Sequence, residues 1–160
     1  MKTDIFLGNL NTSEIEQKLK QNFEKNFVII KKNDHRELNK AVSQKKKIFV
    51  LGGTPQMNAF AANSKKVSFL ILPNNKKHAF DLQTAKKCAE NNVKIGFVFS
   101  DFLKMGKYKK AKNFREIQKS LKLCNKTKIR AEFFSLSEDK NNLRKKEDMD
   151  SILKILKNRE

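Results

Sequence analysis

Residues 67–103, VSFLILPNNKKHAFDLQTAKKCAENNVKIGFVFSDFL, constrain the fold more than any other stretch of the chain. Residues 67–72 and 93–99 are apolar runs with the length and the β-branched or aromatic content of buried strands. Between them, Leu82, Ala85, Cys88 and Ala89 fall at spacings of 3, 3 and 1. That spacing lays them along one side of a helix over residues 81–92. Strand, helix and strand in so short a span make a βαβ unit. Its strands run parallel, because the crossover returns the chain to the same end of the sheet.

The rest of the chain repeats this unit. Residues 4–7 read as a first strand, and Ser13 with Glu16 forms a capping box for a helix carrying Ile15, Leu19 and Phe23. Residues 27–30 read as a second strand. Asp34 suits the N-cap of a helix with Leu38, Ala41 and Val42 inward. Strand 48–51 is closed by Gly52 and Gly53. Pro55 then fits the first turn of a helix facing inward with Met57, Phe60 and Ala61. Beyond the opening unit, Phe114, Ile117, Leu121 and Cys124 form the stripe of a longer helix. Residues 129–134 read as a strand, whose Arg130 and Glu132 suggest an edge or half-exposed position. Met149, Ile152, Leu153 and Leu156 mark a closing helix.

Six or so βα repeats and no Pro- or Gly-rich linker make residues 1–160 a single domain. Alternating βα units leave an open doubly wound sheet or a barrel. A full eight-fold barrel takes at least about 200 residues, so the expected fold is α/β, a reduced or incomplete TIM-like barrel.

Charge narrows the partner. Lys and Arg number 36 against 17 Asp and Glu, a net charge of +19. Such a surplus repels itself, and nucleic acid relieves it by releasing counterions. The bland alternative is a lysine-rich surface that is merely solvated. The longest apolar runs fall far short of the ~20 residues a membrane span needs, and MKTDIFLGNL has no secretory h-region. The expectation is a cytoplasmic protein whose two cysteines, Cys88 and Cys124, are reduced and buried.

In a parallel βα fold, functional groups collect on loops leaving the C-terminal strand ends. Three of these are basic: Lys76 and Lys77 beside His78; Lys104, Lys107, Lys109, Lys110 and Lys112 around Tyr108; and Lys140, Arg144, Lys145 and Lys146. A lysine-lined face docks phosphates with little sequence readout. The opposite loops, with Lys45–Lys47, Lys65, Lys66, Lys126 and Lys128, are basic too, so charge alone does not choose a face. Enzyme motifs are sparse. GGT at residues 52–54 lacks the spacing of a phosphate loop and reads as a tight strand exit. His35 and His78 are too few for the metal centre of a barrel hydrolase. Asp81 directly precedes the Leu82 stripe and reads as an N-cap.

Residues 49–61 (FVLGGTPQMNAFA), the 67–103 unit with Asp81 and Lys86, and residues 126–149 with Ser135, Arg144 and Asp148 together carry a resemblance. In order and spacing, residues 48–156 resemble the TIM-barrel protein subunit of archaeal and eukaryotic ribonuclease P, its protein component 3. The resemblance implies an RNA-binding subunit that does not itself cut RNA. Catalysis would lie in the ribonuclease P RNA, which holds Mg²⁺ and removes the 5′ leader of precursor tRNA. The protein would carry no cofactor and would work beside a second small protein subunit.

The resemblance leaves Asp81, Lys86, Asp101, Ser135, Arg144 and Asp148 at matching positions. Lys86 and Arg144 become RNA contacts, while Asp81, Asp101 and Asp148 cap helices or pair with basic side chains. Leu82 and Ser100 stand where the family usually has a histidine and an arginine. The candidate RNA-binding set is therefore Lys76, Lys77, Lys86, Lys104, Lys107, Lys109, Lys110, Lys112 and Arg144. The alternatives are a metal-dependent phosphoesterase of the related barrel type and a general basic RNA- or ribosome-associated protein.

Overall fold

The computed structural model describes residues 27–73, 78–103, 105–135 and 146–158. The strand and helix expected before residue 27 lie outside them. Five strands form one sheet: β1 (Phe27–Ile30), β2 (Lys47–Leu51), β3 (Phe69–Leu72), β4 (Lys94–Val98) and β5 (Ala131–Phe134). They lie in sequence order and every neighbouring pair is parallel. The helices between and after them are α1 (His35–Ser43), α2 (Pro55–Ala62), α3 (Leu82–Glu90), α4 (Ser100–Leu103), α5 (Lys107–Thr127) and α6 (Lys146–Asn158).

Side chains alternate across each strand, so the two faces of the sheet hold different cores. Ile30, Ile48, Val50, Leu70, Leu72, Ile95, Phe97, Ala131 and Phe133 face the helices. They meet Leu38 and Ala41 of α1, Phe60 and Ala61 of α2, Ala85 and Cys88 of α3, Ile117, Leu121 and Cys124 of α5, and Met149, Leu153 and Leu156 of α6. Among the described residues, all the long helices thus pack on one face, as same-handed crossovers between successive strands require.

The other face carries a second cluster of Phe49, Phe69, Ile71, Val98 and Phe134, flanked by Phe27, Ile29 and Leu51. Its rings show how strongly the sheet bends. β2 and β5 are three strands apart, which in a flat sheet separates them by about 14 Å. Yet the Phe49 and Phe134 ring centroids lie 5.7 Å apart, with Phe69 edge-on to Phe134 at 4.9 Å. The sheet is curled inward on these rings. Among the described residues β1 and β5 do not pair with each other, so it is an open, incomplete barrel. Gly96 permits the curl: a Cβ there would sit 2.4 Å from Ile71 Cδ1 and 2.9 Å from Phe134 Cε2.

Local signals account for most element ends. Asp34 accepts from the amides of Arg36 (2.8 Å) and Glu37 (3.2 Å). Thr54 caps α2, with Pro55 behind it. Three strands begin later than their apolar runs. The amides of Val93 and Ile129 turn back to Cys88 O and Cys124 O, both at 2.8 Å, and Val67 turns back to Ser64 O at 3.2 Å. The first two complete Schellman caps, whose left-handed residues are Asn92 (φ 57°) and Lys128 (φ 59°). An apolar residue just past a cap packs against the helix it ends, so the run starts one element early.

Two packing expectations change. Val42 is 37% exposed, because α1 turns only Leu38 and Ala41 inward. β5 is an edge strand among the described ones, yet it is buried along its whole length, with Glu132 held by Arg130 at 3.0 Å.

Gly96→Ala should destabilise the protein by about 1–3 kcal/mol through overpacking against Ile71 and Phe134. Gly106→Ala, whose Cβ meets nothing within 4 Å, should change stability by under about 0.5 kcal/mol, because alanine is the poorer N-cap but lowers the entropy of the unfolded chain. Urea unfolding of the two variants checks this, and equal midpoints would contradict the role given to Gly96.

Candidate nucleic-acid interface

The C-terminal ends of β2 and β3 are tied together by one buried amide. Asn58 of α2 is fully buried, and its Oδ1 accepts the Gly53 N–H at 3.0 Å. Its Nδ2 donates to His78 O and Ala79 O, both at 2.8 Å. The GGT turn is thus a strand exit braced by Asn58. Gly52 can hold no side chain, since a Cβ would lie 2.4 Å from Asn58 Oδ1.

His78 is buried, not an exposed loop residue. It is 3% exposed, its Nδ1 lies 2.8 Å from Ser120 Oγ of α5, and its ring lies 5.8 Å from Phe97. Nε2 has no hydrogen-bond partner. Burial drives its pKa down to about 4, against a weak opposing pull from Glu116. The imidazole is therefore neutral at physiological pH and serves as a plug that fixes the start of α3. Asp81 follows it and caps α3, accepting the Thr84 amide at 2.7 Å; that bond lowers its carboxyl pKa. Sequence reasoning missed Asn58 and the burial of His78. Little local marks either one, because the bonds that tie Asn58 to His78 O and His78 to Ser120 span 20 and 42 positions.

The lysines now separate by their place on helices. The sequence places Lys107, Lys109, Lys110 and Lys112 in a loop, but the chain is helical from Lys107. Their turn carries no apolar residue to reveal a period, while Lys and Ala favour the helix. Gly106 caps α5 without a side-chain bond, and its first turn has no acid. Three lysines thus sit at the positive end of a 21-residue helix. Tyr108 stands among them, 84% exposed. Lys45 and Lys128, by contrast, occupy left-handed positions just past helix C-termini, where the dipole favours a cation. These two lysines at the far ends of the strands thus have a structural reason to be there. Those opening α5 are opposed by the helix and are suited to an anion supplied from outside.

Lys86 is exposed on α3. Lys76, Lys77, Lys104, Lys140, Arg144 and Lys145 lie outside the described residues. Ser135 is fully buried, its hydroxyl 3.9 Å from Met149 Sδ, so it supports α6 from within. Asp148 is exposed in the first turn of α6, where the dipole favours it. A cleft of about 740 Å³ between α2, α3 and α5 is lined by His78, Asp81, Lys87, Glu116, Lys119 and Ser120, among others. Both of its lysines pair with a neighbouring carboxylate, Lys87 with Glu90 and Lys119 with Glu116, each at 2.8 Å.

Among the described residues, no three His, Cys, Asp or Glu side chains gather as a metal site. Cys88 and Cys124 are unpaired, and burial raises both thiol pKa values to about 12, which keeps them protonated and unreactive. No described helix is long and apolar enough to cross a membrane.

Fold and surface together define a basic, parallel βα half-barrel that offers cations at the C-terminal ends of its strands. No protein-family model and no curated protein matches the chain. Among solved structures it is similar to a chain in the cryo-EM structure of archaeal ribonuclease P with mature tRNA. The TM-score is 0.73 and the identity 19%, over 96% of this chain and 72% of that one. At that identity the likeness establishes a shared fold.

His78 makes stability pH-dependent. Its folded pKa lies below the unfolded value near 6.5. Below 6.5 the unfolded chain therefore binds a proton that the folded chain refuses. Its contribution is complete above 6.5 and is lost as pH falls toward 4, up to about 3 kcal/mol. His78→Gln should flatten this part of a melting-temperature profile. A variant with the same slope as wild type would contradict it.

Proposed function

We propose that this protein is an RNA-binding subunit of a ribonuclease P, the barrel subunit that assists a catalytic RNA in removing the 5′ leader of precursor tRNA. The observation that carries this reading is the likeness, over nearly the whole chain, to a chain of an archaeal ribonuclease P bound to mature tRNA. The charge of +19 and the opposed lysines opening α5 support it.

On this reading the protein performs no bond chemistry. The attacking hydroxide and the leaving oxygen would be handled by Mg²⁺ ions held on the RNA. The protein's lysines would screen phosphate repulsion and so let the RNA close around those ions. Lys107, Lys109 and Lys110 are its first contacts, with Lys86, Lys112 and the predicted Lys76, Lys77, Lys104 and Arg144 extending them. A second small protein subunit would complete the assembly, and the cytoplasm is where it would act. The unreactive thiols of Cys88 and Cys124 fit a scaffold.

Reconstitution tests this reading. Adding the protein, with its partner subunit, to the ribonuclease P RNA should lower the Mg²⁺ concentration needed for half-maximal cleavage of precursor tRNA. Activity unchanged at every Mg²⁺ concentration would overturn it.

A further inference from the structure

The outward side of α5 carries a row that starts among the strand-end contacts, at Tyr108 and Lys112, and runs on past them. Tyr108, Lys112, Arg115, Lys119, Lys122 and Lys126 follow one another at steps of 4, 3, 4, 3 and 4. These steps keep all six on one ridge. All are exposed, and the ridge lies opposite the buried side formed by Asn113, Ile117, Ser120, Leu121 and Cys124. At 1.5 Å per residue the row is about 27 Å long. α5 holds one acid, Glu116, which stands beside the row and pairs with Lys119.

Like charges three and four residues apart destabilise a helix by about 0.2–0.5 kcal/mol per pair. A merely solvated helix avoids this by mixing signs, and the neighbouring helices do so. α3 pairs Lys87 with Glu90, and α6 opens on Glu147 and Asp148. A general excess of lysine would fall on every helix alike, and this one does not.

We infer that the ridge of α5 is a docking rail for the phosphate backbone of an RNA duplex. It carries the protein's contact from the strand ends at Lys107 along the outer surface to Lys126. This rests on the RNA-binding reading and says which surface of the chain, and which form of RNA, is involved. Single strands are gripped by stacking bases on aromatic platforms. Tyr108 is the one exposed large aromatic among the described residues. A straight, rigid row made mostly of lysines, with one arginine and a single aromatic at its end, matches a regular duplex, which proteins recognise through backbone and shape.

The test uses the full chain and a short blunt RNA duplex, with affinity measured across salt concentrations. The triple variant Arg115→Gln, Lys119→Gln and Lys122→Gln keeps helix propensity, and far-UV circular dichroism checks its fold. It should weaken binding at least tenfold in moderate salt and reduce the slope of log K against log salt by about 2 to 3. Lys40→Gln with Lys154→Gln and Lys157→Gln should change affinity less than twofold. Wild-type affinity in the ridge triple, with binding lost instead in Lys107→Ala, Lys109→Ala and Lys110→Ala, overturns the rail and leaves the RNA-binding reading standing. So does preference for single-stranded over duplex RNA. Equal affinity for polyglutamate overturns it in favour of an acidic protein partner. Failure of the wild-type chain to bind either form of RNA removes the reading on which the rail rests.

Discussion

A parallel sheet must be covered on both faces, since its strands are apolar on both. Among the described residues the helices cover one face, and the sheet's own curvature closes the other on itself. Phe27, Phe49, Phe69 and Phe134 close on one another across four strands, at 5.5, 5.3 and 4.9 Å between successive rings. Gly96 leaves the space they need. The curl has a consequence outside the core. Curvature brings the C-terminal strand ends toward a common rim, where Asn58 binds two loops into one piece and the buried ring of His78 locks them against α5. Lys94 closes the opposite end, its ammonium 5.3 Å from the Phe69 ring.

Charge gains meaning only on this frame. A surplus of +19 spread over every loop says that the chain favours anions, but not where. Helix direction makes the distinction. In a βα repeat, helices begin at the C-terminal ends of the strands and finish at the other ends. Lysines that close a helix are stabilised by its dipole, and lysines that open one are opposed. The three that open α5 therefore stand out from those at residues 45, 46, 126 and 128, although all look alike in composition.

The resemblance noticed in the sequence and the likeness of fold rest on different observations. The first lies in the order of Asp81, Lys86, Asp101, Ser135, Arg144 and Asp148; the second lies in backbone geometry at 19% identity. Two of those residues prove structural: Asp81 caps α3, and Ser135 is buried beneath α6. Lys86 remains an exposed candidate contact. The family resemblance therefore speaks partly through residues that build the frame, and the exposed lysines of α5 carry the function proposed for it.

Period and punctuation determined much of this protein. The five strands, the capping roles of Asp34 and Asp81, Pro55 at the start of α2, and the buried thiols of Cys88 and Cys124 were all legible, because each depends on neighbours within one helical turn or one strand. The helical start at Lys107 was not, because a turn made of lysines and a tyrosine has no apolar rhythm. Nor were the Phe49–Phe134 contact, the Asn58 brace or the buried His78, whose partners are distant in the chain and meet only when the sheet curls. Local interactions thus set which segments become strands and helices. Only the tertiary structure decided which lysines share a surface, because that depends on helix direction and sheet curvature, and no single segment contains either.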